Sequence, residues 1–467
     1  MKKHNLFKVV MITLGIVVLL SWLLSTTSYS NGSLSVAKNP IGIFSIGTFV
    51  IVAIQYLCYL PFYILIVGGL YGVLHKIPGY RNLLETIVKG FRDREWLFMS
   101  IVMVVFAVLS SMVGFSQPLL VLFPFVISVI LMMGYDKITA AMVTVGSVTV
   151  GLIGSVFSLT NVYQISYWLT TSPNDDVVTK ILILVICLIV LMVNTFIYAK
   201  KHRDTKHLAE GSYIPSQTNK KMKIWPIVLV IDLLLVVLAL SYFSWDLFEI
   251  SFFEDVLKDI NNYKIGEFAI FKSILGLPDT SYFGVWGLVE CSTVIVLASL
   301  LLSFVYKMKF SDYVTNFMNG AKRALKPAVL VLLAFSILVA VENHPITLTI
   351  CKPLLELTES VNAATMSVVA FLTSILHIDV NYSAASVLPY VTSLYSSANL
   401  TESASLLSVI WQSMYGLAML VGPTSVVLLA TLGYLHVPYG KWLKSVALLF
   451  FELLVVLSLI FLVLSFI

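Results

Sequence analysis

Val121-Leu122-Phe123-Pro124-Phe125 has a counterpart in Ser386-Val387-Leu388-Pro389-Tyr390, the two prolines standing 265 residues apart (389 − 124 = 265). The same shift carries Gly151-Leu152 onto Gly416-Leu417 (416 − 151 = 265). Residues 361–432 therefore repeat the pattern of residues 96–167. Each copy has two apolar stretches around a polar tip, then a hydrophobic segment broken by Gly, Ser, Thr or Pro. Interrupted segments at corresponding places in two halves of a membrane chain point to the substrate site of a secondary transporter.

Composition places the chain in a membrane. Hydrophobic residues make up 59%, charged residues 11%, and the mean hydropathy is +0.96; a soluble domain would carry roughly a quarter charged residues. Apolar runs of about 20 residues, enough to cross ~30 Å of hydrocarbon as helix, recur along the sequence. Lipid offers the backbone no hydrogen bonds, and the alternating strands of a barrel are missing, so the crossings are expected to be helices. Cys58, Cys187, Cys291 and Cys351 show no CxxC spacing, which removes a disulfide framework and a metal site. The net charge of +5 calls for no nucleic-acid partner, because basic loops on one side of a bilayer account for it.

Loop charge sets the path. Residues 6–24 read as an uncleaved first helix, with the N-terminus inside. Stretch 200–223 holds Lys200, Lys201, Arg203, Lys206, Lys220, Lys221 and Lys223 against Asp204 and Glu210. Stretch 307–326 holds Lys307, Lys309, Lys322, Arg323 and Lys326 against Asp312, and 75–95 is similarly basic. All three read as cytoplasmic, and the acidic loop 246–283 as external. Segment 43–74 then returns as one crossing, and 79–94 is a short surface helix. Segments 96–113 and 118–134 form a re-entrant hairpin. Segment 138–170 crosses outward and 178–199 returns. Segments 224–243, 284–306 and a short 327–341 alternate. Segments 361–376 and 382–398 form a second hairpin entered from the other side, 405–432 crosses inward, and 443–467 ends outside.

The expected fold is thus an all-α polytopic membrane protein, an inverted repeat with two re-entrant hairpins and two broken transmembrane helices, of elevator type. Its parts are an N-terminal helix and external loop (1–42), a first repeat (43–199), a cytoplasmic linker (200–223), a connecting helix and external loop (224–283), and a second, inverted repeat (284–467).

Four interruptions are expected to meet near the midplane. Gly and Pro end helical hydrogen bonding, and freed backbone groups persist in hydrocarbon only around a cavity or ligand. The candidate substrate or ion ligands in the first tip are Ser110, Ser111, Gly114, Ser116 and Gln117. The first break offers Gly154, Ser155, Ser158, Thr160 and Asn161, and the second tip Asp379, Asn381 and Ser383. Gln412 precedes the second break, which holds Gly422, Pro423, Thr424 and Ser425. Half-helix N-termini suit a carboxylate, while half-helix C-termini and loose carbonyls suit Na⁺. The competing account is structural: Gly and Pro are common in membrane helices, and Ser or Thr often bond back to their own turn.

Asp379 is the sharpest single residue, since a carboxylate in a re-entrant tip is costly unless paired or hydrated. It could hold a cationic substrate group, Na⁺ or a proton, or simply cap a helix start. His377 could pair with it. Asp232 and Glu290 fall inside apolar segments outside the interruptions. Glu342 and His344 mark a membrane boundary. His202 and His207 are too loosely spaced for a metal site. The sequence has no Walker A motif, nucleophile elbow or HExxH, which argues against an ATP-driven pump or a membrane hydrolase.

Two stretches carry a family resemblance. Gly422-Pro423-Thr424-Ser425 with His436-Val437-Pro438-Tyr439-Gly440-Lys441-Trp442-Leu443-Lys444 resembles the C-terminal signature of YfcC-like proteins. These fall in the anaerobic four-carbon dicarboxylate carrier group of the ion-transporter superfamily. Gly68-Gly69-Leu70-Tyr71-Gly72-Val73 and Gly134-Tyr135-Asp136-Lys137-Ile138-Thr139-Ala140 also fit. The resemblance covers residues 45–460. It implies a scaffold domain, a mobile transport domain and a homodimer, with four-carbon dicarboxylates or basic amino acids as substrates. The second tip, His377-Ile378-Asp379-Val380-Asn381-Tyr382-Ser383, departs from the family's serine- and glycine-rich run.

The reading that follows is a non-enzymatic exchanger or carrier of small carboxylate-bearing solutes in a cell membrane, without a bound cofactor. Asp379 tilts the substrate toward an amino acid of the arginine/ornithine type. A four-carbon dicarboxylate coupled to Na⁺ or H⁺ is the alternative, and a channel or sensor is the alternative of another class.

Overall fold

The computed structural model describes residues 5–203, 213–216, 222–276, 278–395 and 397–466. Asp204, Lys206, His207, Glu210, Lys220 and Lys221, used above for loop charge or as a metal candidate, lie outside the described residues.

The chain begins with α1 (Asn5–Leu23), a hairpin of β1 (Thr26–Ser30) and β2 (Ser33–Ala37), α2 (Ile43–Leu57), α3 (Tyr59–Leu74) and α4 (Pro78–Gly90). The chain continues with α5 (Glu95–Val113), a 3₁₀ turn (Pro118–Val121), α6 (Phe123–Met132), α7 (Lys137–Ala141), a π turn (Met142–Gly146), α8 (Ser147–Ile153), α9 (Leu159–Leu169) and α10 (Val177–Lys201). After the linker come α11 (Trp225–Tyr242), α12 (Phe252–Asn262), the short strands β3 (Lys264–Ile265) and β4 (Phe268–Ala269), α13 (Ile270–Leu275) and α14 (Leu288–Val305). The last third holds α15 (Phe310–Asn343), α16 (Thr347–Leu355), α17 (Ala363–Leu376), α18 (Val380–Leu394), α19 (Ser397–Val421), α20 (Val426–Leu435) and α21 (Tyr439–Leu464). Among the described residues 8 helices are long and apolar enough to cross a membrane, or 9 if α2 and α3 count as one bent span. The chain is a multi-pass, mostly helical membrane protein.

Helix α15 lies along α3, α2 and α20, and α19 lies against α17 and α8. The α3–α15 crossing rests on small residues. A Cβ on Gly68 would meet the Ala324 side chain and the Gly320 carbonyl, and one on Gly320 would meet the Gly68 carbonyl and the Gly72 backbone. Bare backbone on both helices lets the axes close, the packing device of membrane interiors. Gly68 and Gly72 belong to the stretch singled out in the sequence.

Three expectations need correction. The fold is not purely helical: β1 and β2 pair in register from Thr26↔Ala37 to Ser30↔Ser33. Asn31 and Gly32, both at positive φ (51° and 76°), make the tight turn that joins them, a strong hairpin signal in a serine- and threonine-rich stretch. Segment 43–74 is two helices bent by 65°. Pro61, in the first turn of α3, has no N–H to give and its ring crowds the carbonyl four residues back, at Leu57. The expected short segment 327–341 is the second half of a single 34-residue helix, α15, with Pro327 inside it. Its basic first half looks like a loop by charge yet is helical. The expected surface helix 79–94 is α4, which buries Tyr80, Arg81, Leu83 and Leu84 on one face and exposes Thr86 and Lys89 on the other.

Candidate functional site

The first tip turns on Gly114, which ends α5 at φ +71°. A Cβ there would collide with the hydroxyls of Ser158 and Thr160, so this tip sits directly on the first break. Two bonds hold them together. The Ser111 hydroxyl donates to the Gly154 carbonyl, and the Val156 amide donates to the Ser111 carbonyl at 3.0 Å. Ser110 donates to the Val148 carbonyl at 3.0 Å. A Cβ on Gly151 would strike the Ala107 carbonyl, so α5 and α8 touch through bare backbone.

The first break is non-helical from Gly154 to Ser158. Its freed carbonyls are taken up by α19: Gln412 Nε2 donates to Ser155 O at 3.0 Å, and Ser413 Oγ donates to Ile153 O at 2.8 Å. A Cβ on Gly416 would strike the Ile153 backbone. Within the break, Asn161 donates to the Ser155 hydroxyl at 3.3 Å, and the Ser158 and Thr160 hydroxyls share a bond of 3.1 Å.

The second tip joins the same cluster. Asn381 Nδ2 donates to Thr160 O at 2.7 Å, and Asn381 Oδ1 accepts from the Gln164 amide at 3.0 Å. Asp379 is the N-cap of α18 and accepts from the Asn381 amide at 2.7 Å. Ser383 donates to Val380 O at 2.9 Å and accepts from Trp411 Nε1 at 3.1 Å. Tyr415 OH donates to Ile378 O at 2.7 Å. The second break, Gly422–Ser425, reaches this tip through Thr424, whose hydroxyl donates to Ile375 O at 2.9 Å, in the last turn of α17. The family-like C-terminal stretch acts as a clamp on that break. His436 ends α20 at φ 56°, Tyr439 OH donates to Val421 O, and Trp442 Nε1 donates to Leu420 O at 3.0 Å.

Most of the expected ligands therefore do come together: the first tip, the first break, the second tip and Gln412 form one bonded cluster. The second break is bonded to the second tip. No hydrogen bond joins it to the first tip among the described residues. Ser116 and Gln117 are half-buried, and their side chains take no protein hydrogen bond among the described residues.

Other assignments change. His377 does not pair with Asp379. Its Nδ1 lies 2.6 Å from Thr373 O, and its Nε2 faces Glu342 Oε1 at 3.5 Å without forming a hydrogen bond. Glu290 sits in the first turn of α14, at the very start of that apolar span, and accepts from the Gly287 amide at 2.9 Å. Asp232 is exposed on α11, away from the cluster. The sequence reading missed Trp411, Ser413, Tyr415 and Gln164. Three of these fall within five residues of α19, in its fully buried stretch 407–420, and that density of donors among apolar neighbours was the available signal.

Two features of the cluster matter chemically. The half-helices α9 and α20 restart after the breaks from Ser158 and Ser425, both 2% exposed, and neither start has a side-chain cap. Helix starts carry N–H groups without intrahelical partners and a partial positive charge. Second, Gln412 is 1% exposed and its Oε1 has no hydrogen-bond partner among the described residues, an acceptor left open beside the first break.

Comparison with known proteins gives three results. No curated protein sequence matches the chain. Among solved structures, the YdaH transporter of Alcanivorax borkumensis, whose crystal structure is described as having an unusual topology, aligns over 100% of this chain and 98% of its own. The identity is 14% and the TM-score 0.41. The family model described as DcuC, C4-dicarboxylate anaerobic carrier, matches residues 52–466, and the chain belongs to that family.

Proposed function

We propose that this chain is a secondary transporter of four-carbon dicarboxylates. The observation that carries the reading is the pair of buried, uncapped half-helix starts at Ser158 and Ser425, each following a break that is bonded to the second tip. Each start would receive one carboxylate, held by backbone N–H groups and serine hydroxyls that can also release it. Membership in the dicarboxylate carrier family supports this substrate over a basic amino acid. So does Asp379: its carboxylate is engaged at the start of α18, so the argument that it awaits an ammonium or guanidinium group loses its basis. Coupling would come from Na⁺ or H⁺.

The architecture of this proposal is an inverted repeat moving as an elevator, within a homodimer in a cell membrane, N-terminus inside, in the YfcC-like branch of the family. Recurrence of elements supports the repeat. Helix starts pair as α5 and α17 (363 − 95 = 268), the 3₁₀ turn and α18 (380 − 118 = 262), α9 and α20 (426 − 159 = 267), and α10 and α21 (439 − 177 = 262). The two polar tips and two breaks fall at the same places in both series.

The test is counterflow in proteoliposomes loaded with succinate, arginine, ornithine or nothing, with Na⁺ and pH gradients imposed separately. Labelled succinate accumulating only in succinate-loaded vesicles supports the proposal. Arginine counterflow without succinate counterflow overturns the substrate. Conductive flux with no counterflow for either solute overturns the carrier mechanism.

A further inference from the structure

A second site lies away from the tips. A slot runs between α3 and α15 on one side and α6 and α20 on the other, its floor made by Gly68, Gly72 and Gly320. Those are the residues whose missing side chains let α3 and α15 touch, so the crossing itself creates the groove. The walls are apolar, with Phe123, Ile127 and Ala430 among them. Along α3 the lining extends from Ile64 to His75. The eleven helical steps from Ile64 to His75 rise about 16 Å, close to half of the ~30 Å hydrocarbon core, the depth of one leaflet.

One end of the slot is cationic. His75 and Arg323 line it. Lys76 is the next residue along the chain and is exposed, so a second cation stands at this end. Neither Arg323 nor Lys76 forms an ion pair among the described residues. His75 Nε2 is buried with no hydrogen-bond partner among the described residues. An unpaired guanidinium and an unpartnered imidazole nitrogen thus open onto a channel with otherwise apolar walls. Water settles where two to four polar groups can hold it, and the depth of this slot offers few.

We infer that this slot binds one acyl chain of an anionic phospholipid, with the phosphate headgroup on Arg323 and Lys76 and the tail lying along Gly68, Gly72 and Gly320. The ligand is an anionic amphiphile, distinct in place and chemistry from the substrate at the tips. Basic pockets between membrane helices recognise such headgroups by charge, while burial of the tail supplies the apolar contact. The inference does not rest on the proposed transport activity.

The experiment uses the full chain reconstituted with equal amounts of phosphatidylglycerol and phosphatidylcholine of identical acyl chains, then purified in neutral detergent. Retained lipid per protein is read by mass spectrometry. Phosphatidylglycerol is expected to be enriched over phosphatidylcholine, and Arg323→Gln, at an exposed position, to lower its retention by about fivefold or more, the loss expected of a charge-assisted hydrogen bond. Filling the slot from either wall, with Ala430→Leu or Ile127→Phe, is expected to lower retention of both lipids. Equal retention of the two lipids, or wild-type retention by Arg323→Gln, overturns the site. Displacement of lipid by inorganic phosphate alone overturns the acyl component and leaves a simple anion site. Displacement by succinate assigns the slot to the transported solute and overturns the proposal as well.

Discussion

The side-chain amide of Asn381 spans one helical step of a segment more than two hundred residues earlier: it donates to Thr160 O at 2.7 Å while its oxygen accepts from the Gln164 amide at 3.0 Å. Thr160 and Gln164 are the acceptor and donor positions of one i→i−4 step of α9. Only one orientation of the amide satisfies both. The second tip is thereby keyed to the half-helix that restarts after the first break. Side chains that insert into a helical ladder fix local geometry at the cost of helix regularity.

Asn381→Ala removes both bonds and leaves two backbone groups of α9 without this partner. Uptake is expected to fall at least about tenfold, with a stability loss of ~1–3 kcal/mol. Asn381→Asp keeps the acceptor for Gln164 but faces a carboxylate to the Thr160 carbonyl, and it is expected to be the worse of the two. Proteoliposome uptake alongside thermal unfolding separates the effects, and wild-type uptake by Asn381→Ala would remove the bridge from the mechanism.

Gly114→Ala is expected to abolish transport. Its φ of +71° disfavours a side chain, and the new Cβ would strike Ser158 and Thr160. Backbone strain alone is worth about 1 kcal/mol, and the clash pushes the first tip off the first break. Gly90→Ala, where a Cβ meets nothing within 4 Å, is the matched control and should behave as wild type. Comparable uptake in the two variants would show that the tip need not seat on the break.

Gly320→Val forces α3 and α15 apart, since its side chain would occupy the Gly68 carbonyl and the Gly72 backbone. Loss of monodisperse protein, or a fall in unfolding temperature, is the expected result in size-exclusion and thermal assays. Gly47→Val, with open space around the site, is expected to leave both unchanged. Overpacking of this kind typically costs 1–3 kcal/mol or more.

Gln412→Glu tests the charge of the substrate. It places a carboxylate where Oε1 now has no partner. Against a dicarboxylate the repulsion is expected to raise KM for succinate by about tenfold or more over Gln412→Met, because a buried like charge costs several kcal/mol at short range. Equal KM values in the two variants would place the solute elsewhere.

Asp379→Asn is expected to keep uptake within a few-fold of wild type, because Asn caps a helix start about as well as Asp. Abolished uptake in a variant with unchanged unfolding temperature would instead give Asp379 an ion or a substrate group to hold.

Much of this was legible in the sequence for a physical reason. Lipid forces each crossing to satisfy its own backbone, so hydropathy alone marks most spans, and Gly, Pro and polar runs mark where the helices stop. Where a local signal was outvoted by its surroundings, reading failed. Asn31-Gly32 makes a hairpin inside a membrane chain, Pro61 splits a long apolar run, and a basic stretch joins α15.

What the sequence by itself determined is the class of structure and the four places where helices must stop, because Gly, Pro and hydropathy act within a turn or two of their own position. The tertiary structure alone decided the partners. That Asn381 spans Thr160 and Gln164, that Gln412 and Ser413 take up the carbonyls of the first break, and that His377 turns to Glu342 all depend on contacts between segments far apart in the chain. Such contacts are set by how helices cross, and the crossings are set by bare backbone at Gly68, Gly151, Gly320 and Gly416, whose meaning appears only when the opposing helix is in place.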